Sequence, residues 1–210
     1  MISVQKRKTV KQTRPRDAAA TRADLLKAAR VLFSRHGYEM VGLRQLAAEV
    51  GVNQALVIRY FGSKKELFAE AIEGLFSPHR WFEGDRETIG WQMAASQTAE
   101  WPADWPTDQE VNPLTLLIQS CGHPQANDVL LRAFDDQAIK PIAAWLEGPN
   151  ALERAGVLAA IIVGTGVVRQ LIRSSALTNS NRDAVVAALG AALQRVVDNE
   201  IPERPPVSGD

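Results

Sequence analysis

Residues 46–68 read LAAEVGVNQALVIRYFGSKKELF, and this stretch decides the fold. Leu46 and Ala47 belong to the apolar face of one short helix, and Gly51 follows, a residue that reaches positive φ without steric cost. Val52 packs under the turn, and Asn53 is suited to cap a helix starting at Gln54. A short helix, a glycine turn and a second short helix make the helix-turn-helix layout. Ala47 is small where the two helices cross most closely. Ser63 and Glu66 form a capping box, so a further helix starts at Lys64. Its first amides and the Lys64 ammonium make a ready anion site. The helix dipole disfavours a cation at that end, and a phosphate there would remove the conflict.

The pattern is helical upstream as well. Thr21 with Asp24 reads as a capping box, and Leu25, Ala28, Ala29, Leu32 and Phe33 recur on one face. Gly37 suits the residue that ends this helix. The expected segments are helix 1 over about 22–36, helix 2 over about 43–50 and a recognition helix over about 53–60. Residues 1–17 are polar and aperiodic, with Lys6, Arg7, Lys8, Lys11, Arg14 and Arg16. They read either as a solvated tail or as a flexible basic arm that lies along phosphates or enters the minor groove.

The 210 residues carry 24 bases and 24 acids, a net charge of zero that argues at first against nucleic-acid binding. The two signs are segregated, however. Residues 1–65 hold 14 bases and 4 acids, net +10, and residues 66–210 carry net −10. Such asymmetry points to two parts with different partners. At 46% hydrophobic and 23% charged the chain reads as globular. The single cysteine, Cys121, excludes an internal disulfide framework and a cysteine-based zinc site. The basic start lacks an apolar run, so no signal peptide is expected. The uncharged, almost wholly apolar stretch Ala155–Val168 is 14 residues, short of the ~20 a membrane span needs. A soluble cytoplasmic protein with no membrane partner is expected. There is no Ser/His/Asp set, no P-loop and no metal-ligand cluster; Cys121 and His123 are too few for one. His36, His79 and His123 share no context, so no enzyme, metal or cofactor is expected.

Residues 21–80 resemble the DNA-binding domain of the TetR family of bacterial repressors. Three sets of residues carry the likeness: Ala28-Ala29-x-x-Leu32-Phe33-x-x-x-Gly37-Tyr38, Leu46-Ala47-x-x-x-Gly51-Val52 and Tyr60-Phe61-x-Ser63-Lys64-x-x-Leu67. The sequence departs from the family pattern at Gly42, where Thr or Ser is common, at Ala55, often Gly, and at Ile58, where a Tyr often contacts a phosphate. The resemblance implies an all-α protein: an N-terminal three-helix helix-turn-helix domain, residues 18–65, and a larger helical effector-binding and dimerisation domain, residues 66–200. A frayed tail, 201–210, would follow.

Within that frame the recognition helix lies in the major groove. Gln54 and Arg59 face bases, Gln having the chemistry for adenine and Arg for guanine, and Asn53 at the start of the helix is a further candidate DNA contact. Arg44 reaches a base or phosphate, or is simply a solvated charge. Tyr60 and Lys64 hold the backbone, which fixes register without reading sequence; the alternative for Tyr60 is a partly buried core aromatic. Thr21, at the head of helix 1, completes the candidate DNA contacts.

Beyond residue 66 the periodicity predicts helix 4 running to about Ser77, then helices over about 94–100, 114–121, 125–146 with a kink at Pro141, 151–173 and 182–199. The resemblance implies that the last two pair with their copies in a homodimer, which suits a palindromic operator in double-stranded DNA. Gly164, Gly166, Ala187, Ala188, Gly190, Ala191 and Ala192 would let those helices approach closely. It also implies release of DNA by a small-molecule effector, here apolar or aromatic, in a cavity lined by Trp81, Trp91, Trp101, Trp105, Cys121, Phe134 and Trp145; each also reads as ordinary packing. The alternative from another class is an architectural DNA-binding protein without an effector.

Overall fold

The first helix, α1, spans Ala18–Met40. It is already helical at Ala18, the first residue described by the computed structural model, which covers residues 18–78, 82, 84–99, 111–177 and 179–200. The basic arm, the C-terminal tail, Trp81, Trp101 and Trp105 lie outside the described residues. Three consecutive alanines, Ala18–Ala20, are strong helix formers and carry α1 upstream of the expected start. Thr21 is consequently inside the helix, not its cap, and only 3% exposed.

The expected stop at Gly37 is a kink. Its φ and ψ are 72° and 172°, and helix resumes to Met40. A Cβ at this position would sit 2.5 Å from the Gln119 carbonyl oxygen. Gly37 therefore serves both a backbone angle and a close approach.

Helices α2 (Leu43–Val50), α3 (Gln54–Phe61) and α4 (Lys64–Ala71) follow. Helix α4 ends well before the expected Ser77. Gly74 takes a φ of 78°, and Arg30 on α1 donates to the Ala71 carbonyl at 3.0 Å and to the Glu73 carbonyl at 3.4 Å. The chain continues with α5 (Ile89–Thr98), α6 (Pro113–Ser120) and α7 (Pro124–Phe134). A π turn over Asp135–Ile139 joins α7 to α8 (Lys140–Leu146). Pro141 has no N–H to give the preceding turn, which accounts for the irregularity just upstream of it. Next come α9 (Ala151–Gly166), a second π turn over Val167–Leu171 and α10 (Arg182–Val197). All secondary structure among the described residues is helical.

Two apolar cores form. The first gathers Leu25, Phe33, Tyr38, Leu46, Val57, Leu67 and Phe68 with Leu116 of α6 and Val129 and Leu130 of α7. It thus spans both sides of the charge boundary. The second gathers Ile89 and Met93 of α5, Ile142 and Leu146 of α8, Leu158 and Ile162 of α9, and Leu193 and Val197 of α10.

Helices α5 and α10 meet backbone to backbone. A Cβ on Gly190 would come 2.4 Å from the Trp91 ring, and one on Gly90 would come 2.5 Å from the Gln194 nitrogen. Gly190 therefore serves packing within the chain, not the outward face expected of it; buried Gly166 likewise faces Leu114.

Together with its π turn, α9 runs Ala151–Leu171, 21 residues that contain an 18-residue window of mean hydropathy 1.7, long and apolar enough to cross a membrane by length and composition alone. The shorter count of 14 stopped at Arg154 and Arg169, but both charges are absorbed within the fold. Arg154, 3% exposed, donates to the carbonyls of Glu147, Pro149, Val196 and Val197, at the ends of α8 and α10. Arg169 donates to those of Gln97, Thr98 and Ala99 at the end of α5. The carbonyls of Gln97, Thr98, Val196 and Val197 are among the orphan acceptors that a helix leaves at its C-terminus, and the others lie just beyond such ends.

Candidate nucleic-acid interface

The turn between α2 and α3 is closed by backbone bonds. Gly51 is left-handed, with φ 71° and ψ 38°, and its N–H donates to the Ala48 carbonyl at 3.1 Å. The Val52 N–H donates to the Ala47 carbonyl at 2.8 Å. Asn53 Oδ1 accepts from the Ala55 N–H at 2.9 Å, so Asn53 caps α3 as its sequence position predicts. Leu46 and Ala47 of α2 are buried, as are Val57 and Phe61 of α3. Leu56 and Tyr60 are half-buried, which leaves Gln54, Ala55, Ile58 and Arg59 outward.

Arg44, Gln54 and Arg59 are exposed, and their side chains engage no other group among the described residues. Asn53 is also exposed, though its oxygen is spent on the cap. Tyr60 sits between its two readings. It packs on the first core and its ring lies 6.4 Å from that of Phe61. Thr21 is the exception: a buried hydroxyl in the body of α1 offers no surface to a duplex.

Lys64 is more constrained than its position implied. Ser63 Oγ accepts from the Glu66 N–H at 3.2 Å, the first half of the capping box, while the Ser63 N–H donates to the Phe61 carbonyl at 2.9 Å. Lys64 Nζ then donates to the Glu39 carbonyl at 3.1 Å and lies 4.5 Å from the centre of the Tyr38 ring. A carbonyl and a π face both favour a cation, so the fold itself compensates part of the unfavourable dipole. Burial lowers the Lys64 pKa, and the Glu39 carboxylate partly offsets this.

Tyr38, which the sequence marks only as a motif residue, is the hub of this region. Its N–H donates to Ser120 Oγ at 3.1 Å and its hydroxyl to Gln125 Oε1 at 3.1 Å. Its ring lies 5.0 Å from Phe68 and 4.9 Å from His123. Burial raises its pKa. Ser34 and Asn112 add a further link between α1 and the start of α6, at 2.9 Å and 3.3 Å. Arg22 lies over the Phe61 ring at 4.7 Å and pairs with Glu70 at 2.6 Å, tying α1 to α3 and α4. The partners of Tyr38 are more than 80 residues away in sequence, so no local pattern announces them. Tyr38, Ser63, Lys64, Lys65, His123 and Gln125 line an open recess of about 400 Å³, and the His123 Nδ1 is buried without a hydrogen-bond partner among the described residues.

The expected effector residues do not converge among the described residues. The Trp145 ring lies 4.6 Å from that of Phe82, tilted by 39°, and under Arg86 at 4.7 Å. Phe134 meets Phe76 at 5.6 Å. Both pack on the second core. Trp91, however, is exposed against Gly190, and Cys121 is exposed beyond the end of α6. No group of three or more potential metal ligands occurs among the described residues.

A basic helix-turn-helix head on an all-helical body is the architecture of a bacterial DNA-binding regulator. Residues 25–71 match the family model described as bacterial regulatory proteins, tetR family, and residues 87–197 match the tetracyclin repressor-like C-terminal domain. The chain belongs to the TetR family. It is 41% identical over 58 residues to the HTH-type transcriptional repressor SCO4008 of Streptomyces coelicolor, covering 28% of this chain and 30% of that protein. It is 34% identical over 74 residues to the HTH-type transcriptional repressor NicS of Pseudomonas putida, covering 35% and 34%. The match thus spans about a third of these curated relatives. Among solved structures, a TetR-family regulator from Streptomyces coelicolor aligns with a TM-score of 0.55 at 25% identity, covering 89% of this chain and 99% of that one. NalD, the secondary repressor of the MexAB-OprM multidrug efflux pump in Pseudomonas aeruginosa, shares the fold at a TM-score of 0.58 and 19% identity, covering 82% and 96%.

Proposed function

We propose that this protein is a transcriptional repressor that binds a palindromic operator as a homodimer and leaves it on taking up a small molecule. The observation that carries the reading is the set of exposed, unengaged side chains Arg44, Gln54 and Arg59 around the turn, within the segment of charge +10. Gln54 and Arg59 read base edges, Arg44 a base or phosphate, and Tyr60 and Lys64 the backbone. Residues 18–65 act as the reading head, and the arm 1–17 adds phosphate contacts. Both curated relatives bear the name repressor, which favours repression over activation.

Dimerisation is assigned to α9 and α10. Leu152 and Val157 are about half exposed, and Ala160, Gly164, Ala187, Ala188, Ala191 and Ala192 are also outward. Only a third of the long α9 segment is buried within the chain, so an apolar face remains for a second copy. A twofold axis there presents two heads to two half-sites. The effector is apolar or aromatic, held near Phe134 and Trp145 beside the second core. The net charge of −10 over residues 66–210 favours a body that senses and dimerises over one that coats DNA.

Selection of bound duplexes from a random-sequence pool tests the first claim, with an inverted repeat as the expected product. A pool bound without enrichment of any sequence would instead indicate a non-specific architectural protein. A metabolite screen scoring loss of the selected duplex tests effector release.

A further inference from the structure

The reading face of α3 has an apolar centre. At roughly 100° per residue, Gln54, Ile58, Ala55 and Arg59 fall in that order around one arc of about 140°. All four are exposed, while Val57 and Phe61 turn into the core. The two polar residues lie at the edges of the arc. Ile58, 47% exposed, and Ala55 occupy its middle.

An isolated exposed isoleucine needs no explanation on an ordinary surface. Here it lies on the helix that enters the groove, between the two side chains assigned to base edges. Neither Ile58 nor Ala55 can satisfy a hydrogen-bonding atom of a base. The apolar feature that the major groove offers is the C5-methyl group of thymine. We infer that Ile58, with Ala55 beside it, determines part of the operator sequence by packing on thymine methyls. The inference rests on the operator-binding reading above and adds a base identity to it. Burying one methyl group is worth about 0.8 kcal/mol, which is about fourfold in affinity. A symmetric site with one such thymine per half would gain about fifteenfold.

Deoxyuridine differs from thymine only by that methyl, and its Watson–Crick edge is unchanged. The test uses the full chain and the best duplex selected from a random-sequence pool, with each thymine replaced in turn by deoxyuridine. The expected result is a loss of about fourfold at one or two positions per half-site. Ile58→Ala should bind thymine and deoxyuridine forms equally at those positions, while Ile58→Val keeps most of the discrimination. Because Ile58 is exposed and alanine is the better helix former, the alanine variant keeps its fold. Indifference of the wild-type chain to every deoxyuridine overturns the inference but leaves operator binding intact, as does equal deoxyuridine sensitivity in Ile58→Ala. Failure to enrich any sequence removes operator binding itself, and the inference with it.

Discussion

Lys64 stands between two uses, and its truncation separates them. In the free chain its ammonium is held by the Glu39 carbonyl at 3.1 Å and the Tyr38 ring at 4.5 Å. Lys64→Ala removes both contacts, and a partly exposed cation–π pair is worth about 0.5–1 kcal/mol. The expected cost to stability is therefore about 1 kcal/mol, read from the urea midpoint at constant m-value. The cost to DNA binding has a different signature. Each phosphate neutralised contributes about 0.9 to the slope of log K against log salt. A dimer with two Lys64 contacts should lose about 2 from that slope. A fourfold rise in salt then weakens the wild type about tenfold more than the variant. The assay is fluorescence anisotropy with labelled duplexes over a salt series. The loss must also be the same on a selected operator and on a scrambled duplex, because phosphates carry no sequence. Parallel salt lines would refute the phosphate assignment and leave Lys64 a strut between α1 and α4. A loss confined to the operator would move it to base reading.

The pH dependence follows from the same residue. Burial lowers the Lys64 pKa from the ordinary 10.5, so the free chain loses this proton earlier in the alkaline range than an exposed lysine does. The ammonium is the phosphate-binding form, so DNA affinity should fall as pH rises through that lowered value, and Lys64→Arg should abolish the fall. Gly37→Ala should cost about 1–3 kcal/mol in chemical unfolding, since alanine is strained at φ 72° and its methyl meets the Gln119 carbonyl. Sedimentation should give twice the 23.0 kDa of one chain, and Val157→Arg should shift it toward monomer. A wild-type monomer at micromolar concentration would remove the proposed interface.

What the sequence could reveal depended on the range of the interaction. The α2–turn–α3 unit was legible because Gly51, Asn53 and Ser63 act on groups within five residues of themselves, through φ angles and caps. The start of α1 was missed because a local cap at Thr21 competed with an alanine run that simply continues the helix. The surroundings of Lys64 were missed for a different reason. Glu39 and Tyr38 reach it only once α1 has packed on α4, and Ser120 and Gln125 reach Tyr38 only once α6 and α7 have docked. The family resemblance placed Trp91, Phe134, Trp145 and Cys121 in one lining, with no periodicity to say which way each side chain points. Phe134 and Trp145 do pack on one core, while Trp91 and Cys121 are exposed, because side-chain direction is set by register and not by residue type.

The first core has a consequence for how the molecule can be cut. By charge the chain divides near residue 65, but by packing it does not. Phe33 and Phe68 share one apolar cluster with Leu116 and Leu130, and Tyr38 is bonded to Ser120 and Gln125. A fragment ending after α4 would leave that cluster open to water on the side that α6 and α7 cover. Melting of the head and melting of this part of the body are thus one cooperative event. A partner molecule that strains α6 or α7 acts on the same free-energy well that holds the reading helix in place.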